Sequence, residues 1–110
     1  MKFSDYQKAT EETAIYPDDV PESVDESLVY VVLGLQGESG EAAEKLKKAV
    51  REDDESYIDE MRAELGDVLW YLARVCEELD TSLEEVASDN LDKLLDRKER
   101  DVLEGEGDTR

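Results

Sequence analysis

Apolar residues recur at intervals of three and four along most of the chain, and this period predicts helices. The pattern is most regular from about Glu55 to Leu79, where one stripe keeps the i, i+3, i+4, i+7 spacing throughout. A second stripe predicts a helix from about Glu26 to Arg51. Its first part is rich in β-branched residues and alone would suit a strand, but the length of the pattern favours a helix. The predicted core positions are Leu28, Val31, Val32, Leu35, Ala42, Leu46 and Val50 on the second helix and Leu65, Val68, Leu69, Leu72, Val75, Cys76 and Leu79 on the third.

A shorter helix is predicted before this pair. Ser4 and Gln7 form a capping-box pattern, and the helix that they begin should run to about Ile15. Two prolines follow within six residues, and proline both lacks an amide proton and displaces its predecessor from the helical region. We therefore predict a loop from the end of this helix to about Asp25.

A fourth helix is predicted to begin at the N-cap Ser82 and to end near Arg100. The residues after it contain two glycines and little that could be buried. Because no internal repeat is visible and the length suits one domain, we predict a single helical domain over residues 1–101 and a flexible tail over residues 102–110. The predicted fold class is all-α and resembles a four-helix bundle.

The first half of the second helix is apolar on all sides. Val29 and Leu33 lie opposite its core stripe, and Trp70 lies about 160° from the centre of the stripe on the third helix. A monomeric bundle covers only one side of each helix. We therefore predict that a homo-oligomer, a dimer or a tetramer, completes the fold.

The charge balance disfavours several classes of function. The chain has 32 acidic and 13 basic residues and a net charge of −19, so general attraction to nucleic acid or to an anionic membrane is not expected. Such acidity keeps a protein soluble at high salt, which predicts a halophilic source. Disorder is the alternative explanation of this composition, but the strong apolar period disfavours it.

Cysteine, histidine and hydropathy restrict the chemistry and the location. One cysteine cannot form an intramolecular disulfide, and a chain without histidine cannot assemble the common zinc ligand sets. The longest apolar run, Leu28 to Leu35, is far shorter than the roughly 20 residues that cross a bilayer, and the N-terminus lacks the apolar region of a signal peptide. We expect a cytoplasmic protein.

Two acidic signatures, Glu38-Ser39-Gly40-Glu41 and Glu64-Leu65-Gly66-Asp67, carry the candidate chemistry. Carboxylates three residues apart on a helix can face one point, and both pairs lie on the same rotational side of their core stripes. Antiparallel packing would therefore place them at one cleft, where their mutual repulsion would favour a bound cation. Oxygen ligands suit magnesium. In so acidic a chain, such pairs also arise by chance on a solvated face.

Glycines accompany both signatures. Gly37, Gly40 and Gly66 fall inside predicted helices, where each glycine is unfavourable by about 1 kcal/mol. This suggests that backbone, metal or substrate comes close at these positions.

The two signatures together resemble the MazG-like family of nucleotide pyrophosphohydrolases, which carries an ExxE, spacer, ExxD pattern. Here 22 residues separate the two signatures, and the resemblance covers about residues 28–100. It implies an all-α oligomer that hydrolyses nucleoside triphosphates to monophosphate and pyrophosphate with magnesium, or alternatively manganese, in house-cleaning of the nucleotide pool. It also implies that the metal ligands are Glu38, Glu41, Glu64 and Asp67, and that Glu41 and Glu38 are catalytic, with Glu41 orienting or deprotonating the attacking water.

Basic residues cluster on the second and fourth predicted helices. Lys45 and Lys48 continue the angular stripe of the first signature, and a second stripe at i, i+3, i+7 runs along the fourth helix. The candidate phosphate ligands are Lys93, Arg97, Lys45, Lys48 and Asn90. The alternative is charge pairing along each helix, which is worth a few tenths of a kcal/mol per pair.

Tyr71 and Trp70 are the candidate base contacts, because aromatic rings stack on bases, although such residues are often core or interface. Two rival functions stay open: a non-catalytic acidic helical adaptor, and an inactive relative that only binds nucleotides. Clustered cations disfavour the first, and four acidic ligand positions disfavour the second. The sequence does not identify the preferred nucleotide or the number of metal ions.

Overall fold

Two long antiparallel helices form the centre of the molecule, which is known here as a computed structural model that describes residues 1–16 and 25–110. The described part contains four α-helices, one 3-10 helix and no strand, so the predicted all-α class is confirmed. The elements are α1 (Phe3–Ala9), the 3-10 helix (Thr10–Thr13), α2 (Glu26–Glu52), α3 (Ser56–Glu78) and α4 (Leu83–Glu99). The predicted loop to Asp25 falls mainly outside the described residues. None of the described helices is both long and apolar enough to cross a membrane.

A tight polar turn makes α2 and α3 antiparallel neighbours. Asp53 adopts a left-handed conformation with φ 49° and ψ 48°, and its amide donates to the carbonyl of Ala49. The Asp54 side chain then accepts the amide of Ser56 at 3.0 Å, which satisfies a free donor at the start of α3. The bounds predicted for both helices from the apolar period are confirmed to within one residue.

The start of α1 differs from the prediction. Lys2 is the N-cap, and Asp5 accepts its backbone amide at 3.4 Å, so the capping box expected from Ser4 and Gln7 is wrong. The helix also ends early, at Ala9, and the chain continues as the 3-10 helix. Tertiary contacts of Gln7 override the local capping pattern.

Gln7 is buried and fastens α1 to the turn between α3 and α4. Its side-chain nitrogen donates to a carboxylate oxygen of Glu77 at 2.9 Å and to the carbonyl of Thr81 at 3.0 Å. Its side-chain oxygen accepts the amide of Leu83 at 2.8 Å. The carboxamide thus makes three hydrogen bonds to the end of α3 and the start of α4. These bonds satisfy its polar atoms and explain why a polar residue occupies a buried position.

α4 packs on the rest of the chain mainly through its first half. Ser82 is its N-cap, as predicted, and accepts the amide of Glu85 at 3.1 Å. Leu83 is buried there, whereas Leu91 and Leu95 further along are 59% and 61% exposed. A long stretch of α4 therefore presents apolar side chains to solvent.

Several predicted core positions lie on the surface of the single chain. The exposed ones are Val32, Leu46, Val50, Leu65 and Leu79, so their assignment to the core of one chain is wrong. The radius of gyration is 17.1 Å, against about 13 Å for a compact domain of this length. The physical reason is that α2 and α3 pack as a long pair on which α4 rests only lightly, so apolar faces of these helices stay uncovered. Val29 and Leu33 are among the exposed apolar residues, as the all-round apolar pattern predicted.

Candidate active site

The antiparallel packing of α2 and α3 brings the two acidic signatures together. One carboxylate oxygen from each of Glu38, Glu41 and Glu64 lies within 4.8 Å of the other two. Asp67 does not belong to this group of three, but it lines the same cavity as Glu38. All four predicted ligand positions therefore lie around one region, with Asp67 at its margin.

Glu38 is the most constrained of these acids. Its Oε2 atom is buried and has no hydrogen-bond partner among the described residues. Burial raises the pKa of the Glu38 carboxyl, and the negative charges of Glu41, Asp67 and Glu64 raise it further. An unpaired buried acceptor is unfavourable by about 1–3 kcal/mol. A cation would satisfy this oxygen, and an all-carboxylate donor set fits magnesium.

The glycines beside the signatures have no close neighbour. A methyl group added at Gly37, Gly40 or Gly66 would meet no described residue within 4 Å, so the expected approach of backbone is wrong there, whereas the approach of metal or substrate stays a prediction. The close approach occurs at Gly34, which the sequence analysis missed. A methyl group there would collide with the ring of Tyr71. The absence of a side chain at Gly34 therefore leaves room for the Tyr71 ring between α2 and α3.

An aromatic wall adjoins the carboxylates. A cavity of about 390 Å³ is lined by Thr13, Glu38, Asp67, Trp70 and Tyr71. The indole nitrogen of Trp70 donates to the hydroxyl of Thr13 at 2.8 Å, and the Trp70 and Tyr71 rings meet edge to face with centroids 5.0 Å apart. Burial raises the pKa of the Tyr71 phenol, and nearby negative charges, including those of Glu38 and Asp67, add to that effect. Both candidate base contacts thus stand beside the acidic group.

Trp70 finds partners within its own chain. Its location far from the core stripe predicted contact with another subunit, which stays a prediction, and in the structure the N-terminal segment contacts it. Besides its bond to Thr13, its ring meets that of Tyr16 edge to face at 6.3 Å. Tyr16 in turn stacks on Tyr30 at 5.7 Å.

Arg74 and Thr13 are residues of this region that the sequence analysis did not identify. Arg74 is buried, and its guanidinium donates to the hydroxyls of Thr10 at 3.2 Å and Tyr16 at 3.1 Å. The available signal was the i, i+4 spacing of Trp70 and Arg74, which places both on the same face of α3. That spacing does not indicate which segment covers them.

The two predicted phosphate ligands on α2 differ in position. The Lys45 ammonium lies 3.0 Å from a carboxylate oxygen of Glu60, and this bond, followed by the charges of Glu60, Glu64 and Glu41, raises its pKa. Lys45 therefore lies beside the acidic group. The charge of Lys48 acts instead on Glu44 and Glu52, whose carboxyl pKa values are lowered mainly by other bonds. Within the described contacts, Lys48 is not brought to the site.

Two of the three predicted phosphate ligands on α4, Arg97 and Lys93, bind the C-terminal tail. Arg97 is only 4% exposed and donates to the backbone oxygen of Asp108 at 2.6 Å and to its carboxylate at 3.2 Å. The Lys93 ammonium donates to the same carboxylate at 3.0 Å, and both cations lower the pKa of the Asp108 carboxyl. Asn90 lines a separate cavity between α4, α3 and Phe3. No contact in the described ranges joins these three residues to the carboxylates of α2 and α3.

Comparisons with known proteins identify the domain. Residues 26–102 match the MazG nucleotide pyrophosphohydrolase domain. The chain is similar to the Gene 37 protein of Mycobacterium phage L5, with 46% identity over 114 residues and an alignment that covers the whole of both chains. No solved structure matches the chain. The matched segment starts after α1 and the 3-10 helix, so Thr13 and Tyr16 lie outside it.

Proposed function

Because the chain belongs to the MazG nucleotide pyrophosphohydrolase family, we propose that it hydrolyses nucleoside triphosphates to nucleoside monophosphate and pyrophosphate with a divalent cation. The observation that carries this proposal is the group of three carboxylates from Glu38, Glu41 and Glu64, whose oxygens lie within 4.8 Å of one another beside an aromatic cavity. Carboxylates held this close repel one another, and a cation bound among them would relieve that repulsion. House-cleaning of the nucleotide pool is the role that this reaction would serve.

Glu38, Glu41 and Glu64 are the residues that would hold the cation, with Asp67 at the rim of the same cavity. Magnesium is the ion that this oxygen donor set suits, with manganese as the alternative. A bound magnesium ion supplies positive charge to the phosphates and lowers the pKa of a coordinated water molecule. The unpaired buried oxygen of Glu38 is the position that most needs such an ion.

The remaining roles follow from exposure and charge. Glu41 is exposed, so its carboxylate is open to the attacking water, which it would orient or deprotonate. Lys45 lies next to the acids and would neutralise charge on the phosphates. Tyr71 and Trp70 would stack on or border the base, since their rings form the cavity wall. Contact of Lys93, Arg97, Asn90 and Lys48 with phosphate stays a prediction.

Magnesium-dependent release of pyrophosphate is the expected result with the purified protein. A panel of canonical and modified nucleoside triphosphates would be incubated at high potassium chloride, with magnesium, with manganese and with chelator, and pyrophosphate would be measured directly. Release with either ion and none with chelator is expected, because the carboxylates alone offer no positive charge to stabilise the transition state. If no triphosphate is cleaved while the folded protein still binds magnesium, an adaptor or a nucleotide-binding role becomes the better account.

Self-association is a second expectation of this function. Leu33 on α2 and Leu91 and Leu95 on α4 are exposed apolar residues, and a second copy would cover them. Because the net charge of −19 makes copies repel one another, assembly should strengthen with salt. Light scattering in high potassium chloride should therefore give the mass of a dimer or a tetramer. Adaptation to a saline cytosol and a cytoplasmic location stay predictions.

Charge introduced at the α4 leucines tests which surface associates. The double substitution Leu91→Glu and Leu95→Glu is expected to lower the measured mass to that of a monomer, whereas Ser88→Glu, at an exposed polar position of the same helix, should leave it unchanged. A wild-type monomer at high salt would exclude the homo-oligomer.

A further inference from the structure

Arg74 connects α3 to the N-terminal segment that borders the candidate cavity. It is buried, and its guanidinium carbon lies 5.7 Å from the centre of the Tyr16 ring, in addition to its hydrogen bonds to Thr10 and Tyr16. Burial of a guanidinium is unfavourable unless its donors are satisfied. The hydroxyls of Thr10 and Tyr16, which belong to one short segment, therefore satisfy donors of the buried Arg74 and join that segment to α3.

Arg74 donates a hydrogen bond to a residue at each end of that segment. We call residues 10–16 the N-terminal arm. At its start, the hydroxyl of Thr10 accepts from Arg74 and donates to the carbonyl of Gln7 at 2.6 Å. At its end, the phenol of Tyr16 accepts from Arg74 and donates to Glu78 at 2.8 Å. A forked side chain with several donors is suited to fix two points at once.

The residue between these two fixed points borders the cavity. Thr13 accepts the indole N–H of Trp70 at 2.8 Å, and both residues line the cavity next to Glu38 and Asp67. The rings of Tyr16 and Trp70 meet edge to face with centroids 6.3 Å apart. The position of the N-terminal arm therefore determines how far the indole can swing and how wide the cavity is.

The N-terminal arm lies outside the matched family domain, which covers residues 26–102 and contains all four candidate metal ligands. The reactive carboxylates and the arm are thus separate parts of the chain that meet at one cavity. A change in the arm should alter which planar group fits against Trp70 without moving the acidic group. This separation distinguishes an effect on substrate choice from an effect on the chemical step.

We infer that Arg74 is a positioning residue for substrate selectivity: it holds the N-terminal arm against Trp70 and so sets the width of the cavity that would receive the nucleobase. The ligand class rests on the proposed function, whereas the positioning of Trp70 does not. The chain contains one tryptophan, so its fluorescence reports on this wall in the absence of any substrate.

Substitution Arg74→Lys keeps the charge but removes the forked geometry. We expect its tryptophan emission to shift to longer wavelength and its quenching by acrylamide to increase, because Thr10 and Tyr16 can no longer be held together. In the pyrophosphate assay, KM for the preferred triphosphate should rise about threefold to tenfold, which corresponds to the loss of one or two hydrogen bonds. The turnover number should change by less than about twofold, and the order of preference within the nucleotide panel should change.

Two further variants separate positioning from folding. Thr13→Val removes the acceptor of the Trp70 indole from an exposed position and should reproduce the emission shift and the rise in KM, whereas Thr13→Ser keeps the hydroxyl and should restore both. Arg62→Lys changes an exposed arginine of the same helix and serves as the matched control. Circular dichroism verifies that each variant is folded.

Two results would overturn the inference: an unchanged tryptophan signal in both Arg74→Lys and Thr13→Val, or a fall in turnover number equal for all nucleotides with no change in KM. If the wild type cleaves no triphosphate, the proposed function fails. The comparison of tryptophan fluorescence still decides whether Arg74 positions Trp70. The two failures are therefore distinguishable.

Discussion

Substitution Glu38→Gln is expected to lower kcat/KM for magnesium-dependent pyrophosphate release by at least about a hundredfold, since even loss of a residue that only supports a metal ligand weakens metal binding by about 10- to 100-fold. Glu38 supplies an oxygen to the group of three carboxylates, and its Oε2 atom is buried without a hydrogen-bond partner in the described part of the chain. Glutamine keeps the shape but removes the charge that attracts the cation. The measurement is pyrophosphate release against magnesium concentration.

The same substitution should raise the thermal stability of the metal-free protein. Burial and the charges of Glu41, Asp67 and Glu64 raise the pKa of Glu38, so its ionised form is less favourable in the folded than in the unfolded chain. Charged Glu38 therefore destabilises the metal-free fold above this raised pKa, and the destabilisation disappears as pH falls through it. A neutral amide should give a higher melting temperature at pH 7 in chelator, and magnesium should stabilise the wild type more than the variant.

Glu44→Gln is the matched control for both measurements. Glu44 lies one turn after Glu41 on α2, but its carboxylate pairs with Lys47 at 3.2 Å and does not belong to the group of three. It should retain wild-type activity and wild-type dependence on magnesium. Glu41→Gln should lose activity as Glu38→Gln does. Full activity in Glu38→Gln would remove Glu38 from the site, and a lower melting temperature in chelator would contradict the proposed repulsion.

The two central helices were predictable because their determinants are local. A regular apolar period fixed α2 and α3, and the serine at position 82 identified the start of α4. The convergence of the acidic signatures followed from helical geometry once the two helices were taken as antiparallel. The domain match over residues 26–102 confirmed the predicted family. That prediction was possible because the residue types of the signatures are more specific than the spacing of their carboxylates.

Features that depend on tertiary placement were not predictable from local rules. Prediction of three features requires knowledge of which segments meet: the 3-10 helix, the packing of Tyr71 against Gly34 and the contacts of Arg74. Periodicity assigned Leu65 to the core, but it is exposed because one chain does not cover that face of α3. An apolar stripe indicates a surface to be buried, and it does not indicate whether the covering surface belongs to the same chain.

Substitution Gln7→Ala is expected to lower the free energy of unfolding by about 3 kcal/mol, because it removes three hydrogen bonds of a buried side chain and leaves the amide of Leu83 and the carbonyl of Thr81 without their partner. A loss of this size should lower the melting temperature by at least about 10 °C. Chemical denaturation and thermal melting would measure both quantities. Lys8→Ala, at the exposed neighbouring position, is the control and should change stability by less than about 0.5 kcal/mol.

Substitution Gln7→Glu separates the loss of hydrogen bonds from the loss of packing. At neutral pH the new carboxylate would retain an acceptor for the amide of Leu83, but it would face the Glu77 carboxylate and the Thr81 carbonyl without a proton to donate. Its pKa should be raised in the folded state, so the variant should be least stable at neutral pH and regain stability relative to wild type as pH falls through that pKa. Gln7→Ala has no such group and should show no such recovery. Equal pH dependence in the two variants would mean that Gln7 acts by filling space, and its hydrogen bonds would then not be what fastens α1 to the joint between α3 and α4.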